Sequence, residues 1–314
     1  MKILHLPLNV PGSEQIGQEK GFRALFEYES FDFLNIEGQY GKEEANRQLL
    51  ARVADYRPDI VWAQIQETTT IVPQTWEKIR QIVPWMTMWS GDARSYVPTS
   101  LERIFPYFDV FYNDTDQKAM YKSKLGNCRY EFMPIAVDLD EATDYSHPIG
   151  NVPEVVFIGN HYAGVFSNSD FRYELMVALS RELKERFGVY GTGWPMSDVN
   201  ILGTCPVKHQ GAYYHKAKVV ISIDHIQGIL HWSERLIWAL ASGSEVIIQN
   251  QPYLKNYFKN RLNYFKTIPE CVELCKKLVN QPKTNNQKNI DYVKLKHTWK
   301  QRAEQVLRDF MVMV

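Results

Sequence analysis

Glu154-Val155-Val156-Phe157-Ile158-Gly159-Asn160 is the stretch on which the reading of the fold turns. Four apolar residues, three of them β-branched, stop abruptly at a glycine and an asparagine, the pattern of a buried strand running into a tight turn. A helical pattern follows over 171–186, and a second apolar run over 188–190. Strand, helix and strand at this spacing make a βαβ unit, which builds a parallel sheet with helices on its faces. Downstream, strands expected over 219–223 and 245–248 flank a helix over 233–241 and extend the series. Upstream the alternation repeats, with strands expected over 3–8, 31–35, 60–62, 85–88 and 110–112 and helices from about Ser13 and through Leu49 and Leu50. Met133-Pro134-Ile135-Ala136-Val137-Asp138 then leads into a stretch rich in Asp, Ser, His, Pro and Gly, which reads as a linker. The expected fold class is therefore α/β, with two tandem Rossmann-like domains over 1–138 and 154–290, a linker over 139–153, and one closing helix over 291–314.

Composition agrees with two domains and excludes several classes. With 314 residues, 45% hydrophobic and 23% charged, the chain can bury a sizeable core. No apolar run reaches the roughly 18 residues that a membrane span requires. The first ten residues are apolar but interrupted by His5 and Pro7, and they read as a strand rather than a signal peptide. The four cysteines are too few for a disulfide scaffold, so reduced thiols and a cytoplasmic setting are the expectation. The net charge of zero conceals an uneven distribution: residues 1–150 carry 15 basic against 22 acidic side chains, and the remainder 21 against 14. A basic second half suits an anion such as a nucleotide diphosphate; lysines that merely solvate surface helices would give the same count.

In an open parallel sheet ligands bind beyond the carboxyl ends of the strands, so the loops after strands are where chemistry is sought. After the first strand, Pro11-Gly12-Ser13-Glu14 joins a glycine to a capping serine, and the backbone amides of Gly12 and Ser13 could hold a phosphate or a sugar hydroxyl; a plain turn with an N-cap uses the same residues. Neither the dinucleotide Gly-x-Gly-x-x-Gly pattern nor a P-loop is present there. Ser90-Gly91-Asp92 ends another strand and puts a carboxylate where a glycine lets the chain turn. Asp92 is the candidate general base, the alternatives being a helix cap or an ion pair with Arg94. Asn113-Asp114-Thr115-Asp116 has the Asp-x-Asp spacing of some metal sites, yet at a strand-to-helix junction it reads better as an N-cap with a first-turn acid. Cys271 and Cys275 stand four apart with no histidine pair near them, so no metal site is expected.

Three loops of the second domain, each after a strand, stand out. Asn160 follows its first strand, with Arg172 a turn into the next helix; Gly191-Thr192-Gly193-Trp194 offers small residues and an aromatic face; and Ser233-Glu234-Arg235 opens a helix with a capping serine and a guanidinium. Amides at a helix start together with an arginine suit a diphosphate. For Arg235 the alternative is a surface ion pair.

These residues carry a resemblance. Residues 155–160 with Arg172, the Gly191–Trp194 turn, 213–223, Ser233-Glu234-Arg235 with 239–243, 246–248, and His297-Thr298-Trp299 with Arg302 resemble the GT-B fold glycosyltransferases, especially the CgeB-like (spore maturation protein) group and related phage and environmental members. The resemblance covers the second half of the chain by residue and the first by pattern only. It implies two domains facing a cleft, a nucleotide-sugar donor such as a UDP-sugar bound by Asn160, Arg172, Gly193, Trp194, Ser233, Glu234 and Arg235, and an acceptor on the first domain. It also implies departure of the diphosphate without a metal or other cofactor, and a last helix that crosses back to the first domain. Many relatives carry a ribose-gripping glutamate where Trp238 stands, and another where this chain has Leu230; Glu234 either takes over that contact or Trp238 is simply core.

Three functions fit these features. The first is sugar transfer from a nucleotide sugar, with Asp92 as base for an inverting reaction and an acceptor that is a glycan, a lipid, a small molecule or a hydroxymethylated base in duplex DNA. The second is a sugar-nucleotide hydrolase or epimerase on the same fold, and the third a non-catalytic sugar-nucleotide-binding protein. Residues 254–314, with 13 basic against 5 acidic side chains, admit a DNA acceptor without demanding one.

Overall fold

The computed structural model describes residues 1–10, 15–226 and 230–313. The chain divides into two compact units, one formed by Met1–Ile135 with the segment from Trp299 onward, the other by Ala136–Thr298. Each is a parallel sheet with helices, so the expected α/β class is what the chain adopts.

The first unit contains β1 (Lys2–Leu6), β2 (Glu27–Ser30), β3 (Ile60–Gln64), β4 (Trp85–Ser90), β5 (Val110–Asn113) and β6 (Arg129–Phe132), in the order β2-β1-β3-β4-β5-β6. Every pairing is parallel. β3 and β4 are buried along their whole length, which is why they read as continuous apolar runs rather than alternating ones. The strand expected over 31–35 is not there. Asp32 accepts a hydrogen bond from the Asn35 amide at 3.1 Å and caps a helix at Phe33–Tyr40, so capping chemistry prevails over a short apolar run. The strand is the preceding Glu27–Ser30, whose polar residues suit an edge position.

The closing helix expected over 291–314 is two helices, Gln287–Lys296 and Trp299–Met313. The first belongs to the second unit and the second to the first. In the first unit the last helix is fastened by Arg302, whose Nε donates to the Pro134 carbonyl at 2.7 Å, and by the Tyr112 hydroxyl donating to Asp309 at 2.6 Å. A Cβ on Gly21 would lie 2.7 Å from the Trp299 backbone, so only glycine allows this helix to approach so closely.

Buried within β1, His5 accepts or donates at Nδ1 with the Tyr28 hydroxyl at 3.0 Å, and burial pushes its imidazole down to about 3. In the unfolded chain a histidine titrates near 6.5. Between those values the unfolded state binds the extra proton, so folding weakens as pH falls through that window, by up to about 1.4 kcal/mol per pH unit. Urea unfolding midpoints at pH 7 and pH 5 should separate clearly for the wild type and much less for His5→Leu; equal separation in both would show that His5 does not set the acid limb.

The second unit contains β7 (Val155–Ile158), β8 (Phe187–Tyr190), β9 (Val219–Ser222), β10 (Glu245–Gln249) and β11 (Asn263–Phe265), in the order β11-β10-β9-β7-β8, again all parallel. The chain leaves β7 to one side for β8 and then crosses to the other side for β9. The gap beyond the ends of β7 and β9 is therefore the point where strand order reverses, the place where open α/β sheets hold ligands. Cys271 and Cys275 are buried in this unit's core, Cys128 is buried in the first unit, and all four cysteines are free thiols.

Division into units also changes the charge reading. Sorted by unit, basic and acidic side chains number 18 and 20 in the first and 18 and 16 in the second. The acidic stretch 138–144 packs with the second unit and the basic last helix with the first, so the imbalance between sequence halves is largely absent from the folded units. Any affinity for an anion must then come from local geometry.

Candidate functional site

That geometry lies at the switch point between β7 and β9. Arg172 comes from the helix Ser169–Leu183, which follows β7, and Arg235 from the helix Glu234–Ala241, which follows β9. Both guanidiniums lie over the ring of Phe157, at 5.3 Å and 4.6 Å from its centroid. Arg235 donates from Nε to the Ile158 carbonyl at 2.5 Å, and from Nη1 to the Ile223 carbonyl at 3.2 Å and to Ser233 Oγ at 3.1 Å. It thereby ties the ends of the two strands together. A Cβ on Gly159 would fall 2.7 Å from Arg235 Nη2, so the glycine ending the first strand of the unit makes room for the guanidinium.

Arg172 is 1% exposed. It donates from Nη2 to the Asn160 carbonyl at 3.3 Å, and its Nη1 meets the His225 ring. Burial, and then the neighbouring charge of Arg235, lower its guanidinium to about 9, with Asp224 pulling the other way. At neutral pH it remains charged, at a cost that a nearby anion would relieve. Among the described residues neither arginine has a carboxylate within ion-pair distance, so the surface ion pair considered for Arg235 is not formed. Two guanidiniums held together by carbonyls, a ring and an imidazole form a ready anion site.

The remaining expected residues take varied places. Asn160 Oδ1 accepts from the Thr192 amide at 2.9 Å, strapping the loop after β7 to the loop after β8. Gly191 and Gly193 permit this strap, since a Cβ on either would fall within 2.4 Å of the Gly159 or His161 carbonyl oxygen, and Gly193 has φ +80°. Trp194 offers no open aromatic face. It is buried, donates from its indole to the Gly159 carbonyl at 2.8 Å and stacks on His161, so it supports the loop from behind. Ser233 occupies the N-cap position of its helix without a capping side-chain bond; its amide donates to Asp224 Oδ1 at 3.1 Å. Burial raises the Glu234 carboxyl, with Trp238 acting in the opposite sense. Trp238 itself is 2% exposed and belongs to the core of its helix. Gly12 and Ser13 lie outside the described residues.

In the first unit Asp92 stands two residues beyond β4, half-buried, with Oδ2 accepting from Arg94 Nη2 at 2.8 Å; Arg94 also reaches Glu67 at 3.1 Å. It caps no helix, as the next one, Thr99–Glu102, has Pro98 at its N-cap. The capping role expected of Asp114 or Asp116 is likewise not taken: the helix there is Lys118–Tyr121, with Gln117 at the cap position, and Asp114 is buried. Among the described residues no group of three His, Cys, Asp or Glu side chains is placed to hold a metal. No described helix is long and apolar enough to cross a membrane.

Sequence reasoning missed Phe157, Asp224 and His225. Phe157 reads as one more strand residue, and nothing in its neighbours marks it as the platform for two arginines. The signal for the other two was present: Asp224-His225 is a polar pair immediately after the apolar run Val219–Ser222 and Ile223, at the carboxyl end of a central strand.

With the geometry in place, comparison with known proteins narrows its meaning. Residues 172–308 match a family model described as glycosyl transferase-like. No curated protein matches the sequence. Among solved structures the chain is similar to the apo structure of OtsA, at 10% identity over 98% of each chain with a TM-score of 0.66. It is similar to a trehalose-6-phosphate synthase studied with bisubstrate glycomimetics, at 11% identity over 100% of this chain and 99% of the other, with a TM-score of 0.67. A glycosyltransferase from Rickettsia africae ESF-5 is similar at 11% identity over 98% and 97%, with a TM-score of 0.64. At such identities the likeness establishes the fold, two parallel-sheet α/β units of the GT-B kind. The family match, on a chain of this fold, indicates a glycosyltransferase.

Proposed function

We propose that this protein transfers a sugar from a nucleotide sugar, such as a UDP-sugar, to an acceptor hydroxyl, and that it stands nearest the CgeB-like group within its fold. The observation that carries the reading is the pair Arg172 and Arg235 at the switch point between β7 and β9, two cations without an ion-paired carboxylate among the described residues. As the glycosidic bond to the donor breaks, negative charge grows on the departing diphosphate. Fixed guanidiniums and the amino end of the helix Glu234–Ala241 stabilise that charge without reorganising. This is the work a divalent cation would otherwise do, and the reaction is read as metal-independent with no further cofactor. Asn160, Gly193 and the strapped loops around them shape the donor pocket, with Trp194 behind them. Glu234 takes the ribose contact that Trp238, being core, cannot make. Asp92 accepts the proton of the attacking hydroxyl.

For the acceptor, near-balanced charge in each unit favours a glycan, lipid or small molecule over duplex DNA, whose binding needs a basic face and falls steeply with salt. Titration with a panel of nucleotide sugars, followed by transfer assays with and without chelator, tests the reading. Binding of at least one donor and chelator-resistant transfer are expected; binding without turnover on any acceptor class would point to a sugar-nucleotide-binding protein. Gel shifts with modified and unmodified duplexes at two salt concentrations decide the DNA acceptor.

A further inference from the structure

His225 stands at the proposed donor site against Arg172, and the donor reading gives its imidazole no role of its own. It follows Asp224 just beyond β9, half-buried, and its backbone carbonyl accepts from the Asn168 amide at 3.0 Å. Its ring packs against those of Tyr162 and Phe166, each centroid 4.9 Å away, and touches Nη1 of Arg172. The titratable or charged groups that face it are Arg172 from the helix Ser169–Leu183, Tyr162 from the loop after β7 and Asp224 beside it in the segment after β9. Arg235 lies beyond Arg172 on the Phe157 ring.

A guanidinium only donates, so it is a neutral imidazole, with one bare ring nitrogen, that can accept from Arg172 Nη1, which is set against both ring nitrogens of His225. A proton on His225 would add a third cation to two guanidiniums that have no ion-paired carboxylate among the described residues. A bound diphosphate reverses this local field. We infer that binding of a nucleotide sugar is coupled to uptake of one proton from solvent by His225, which releases Arg172 from the imidazole to the phosphates and makes His225 a third positive group beside them. His225 is then a positioning residue that acts through Arg172, and the inference rests on the donor reading above.

The coupling has a definite sign. The ligand-bound form holds one more proton than the free form, so affinity falls as pH rises between the two titration points of His225, by up to about tenfold per pH unit. Calorimetry with UDP-glucose, ADP-glucose and GDP-mannose measures this directly, because their diphosphate diesters carry no group that titrates near neutrality. For the donor that binds, titrations in two buffers of different ionisation enthalpy count the protons. Uptake approaching one proton in the wild type is expected, with His225→Gln showing none and an affinity that does not vary with pH. Wild-type binding with no proton uptake between pH 5 and pH 8 would overturn the inference and leave the donor site intact. So would undiminished uptake in the Gln variant. Binding of none of the three sugar nucleotides would instead overturn the donor reading, and this coupling with it. Should the variant fail to fold, the wild-type proton count decides alone.

Discussion

Replacing Asp92 by Asn should lower turnover by roughly 10²–10⁴-fold while leaving affinity for the nucleotide sugar nearly unchanged. A sugar or alcohol hydroxyl is a poor nucleophile at neutral pH, and a carboxylate that takes its proton as the new bond forms contributes about that factor. The asparagine keeps the size and hydrogen-bonding shape of the side chain and removes the basic oxygen. The structure sharpens the control. Because Asp92 caps no helix and its ion pair with Arg94 is part-exposed, Asp92→Ala should cost at most about 1 kcal/mol of stability. Single-turnover rates and melting temperatures on the same preparations therefore separate the two roles: wild-type turnover in a folded Asn variant would remove Asp92 from the chemistry and leave it as Arg94's partner.

Arg235→Ala carries the second large effect. Loss of a charge-assisted contact to the diphosphate should weaken nucleotide-diphosphate binding by roughly 1.5–3 kcal/mol, on the order of ten- to a hundred-and-fifty-fold. Arg235→Lys should restore only part of it, since an ammonium cannot span two phosphate oxygens as a planar guanidinium does. The same side chain bonds the Ile158 and Ile223 carbonyls at the ends of β7 and β9, so the alanine variant should also unfold more readily. Calorimetry confined to conditions where the variant is folded isolates the binding term. Unchanged affinity in both variants would move the diphosphate site elsewhere.

The fold was largely legible because buried parallel strands leave a strong mark. Val155–Ile158, Ile60–Gln64 and Trp85–Ser90 are covered on both faces, so their sequences are mostly apolar, Thr87 apart, and their ends are marked by glycine or polar residues. The elements misread are those whose conformation depends on partners far away in sequence. Glu27–Ser30 is polar and becomes a strand only because β1 offers it an edge, and Arg129–Phe132 and Asn263–Phe265 at other sheet edges went unseen for the same reason. The break at His297-Thr298 has a similar origin. Local pattern continues a helix through it, but Val137 pairs with Thr298 and accepts the end of one unit, while Trp299 begins the helix that packs in the other.

At the candidate site, sequence by itself supplied the residue types and their loops: Asn160, Arg172, Ser233 and Arg235 after successive strands, and a glycine wherever backbone had to come close. What only the tertiary structure decided is how those groups are partnered. Strand order β9-β7-β8 brings helices 63 residues apart at Arg172 and Arg235 onto one phenylalanine ring, while Trp194 is turned inward to hold the Gly159 carbonyl. Sequence fixes local preference through nearest neighbours, but charge compensation and burial depend on what lies across the sheet. For that reason two arginines without ion-paired carboxylates among the described residues, and a histidine set against one of them, became visible only when the strands were placed side by side.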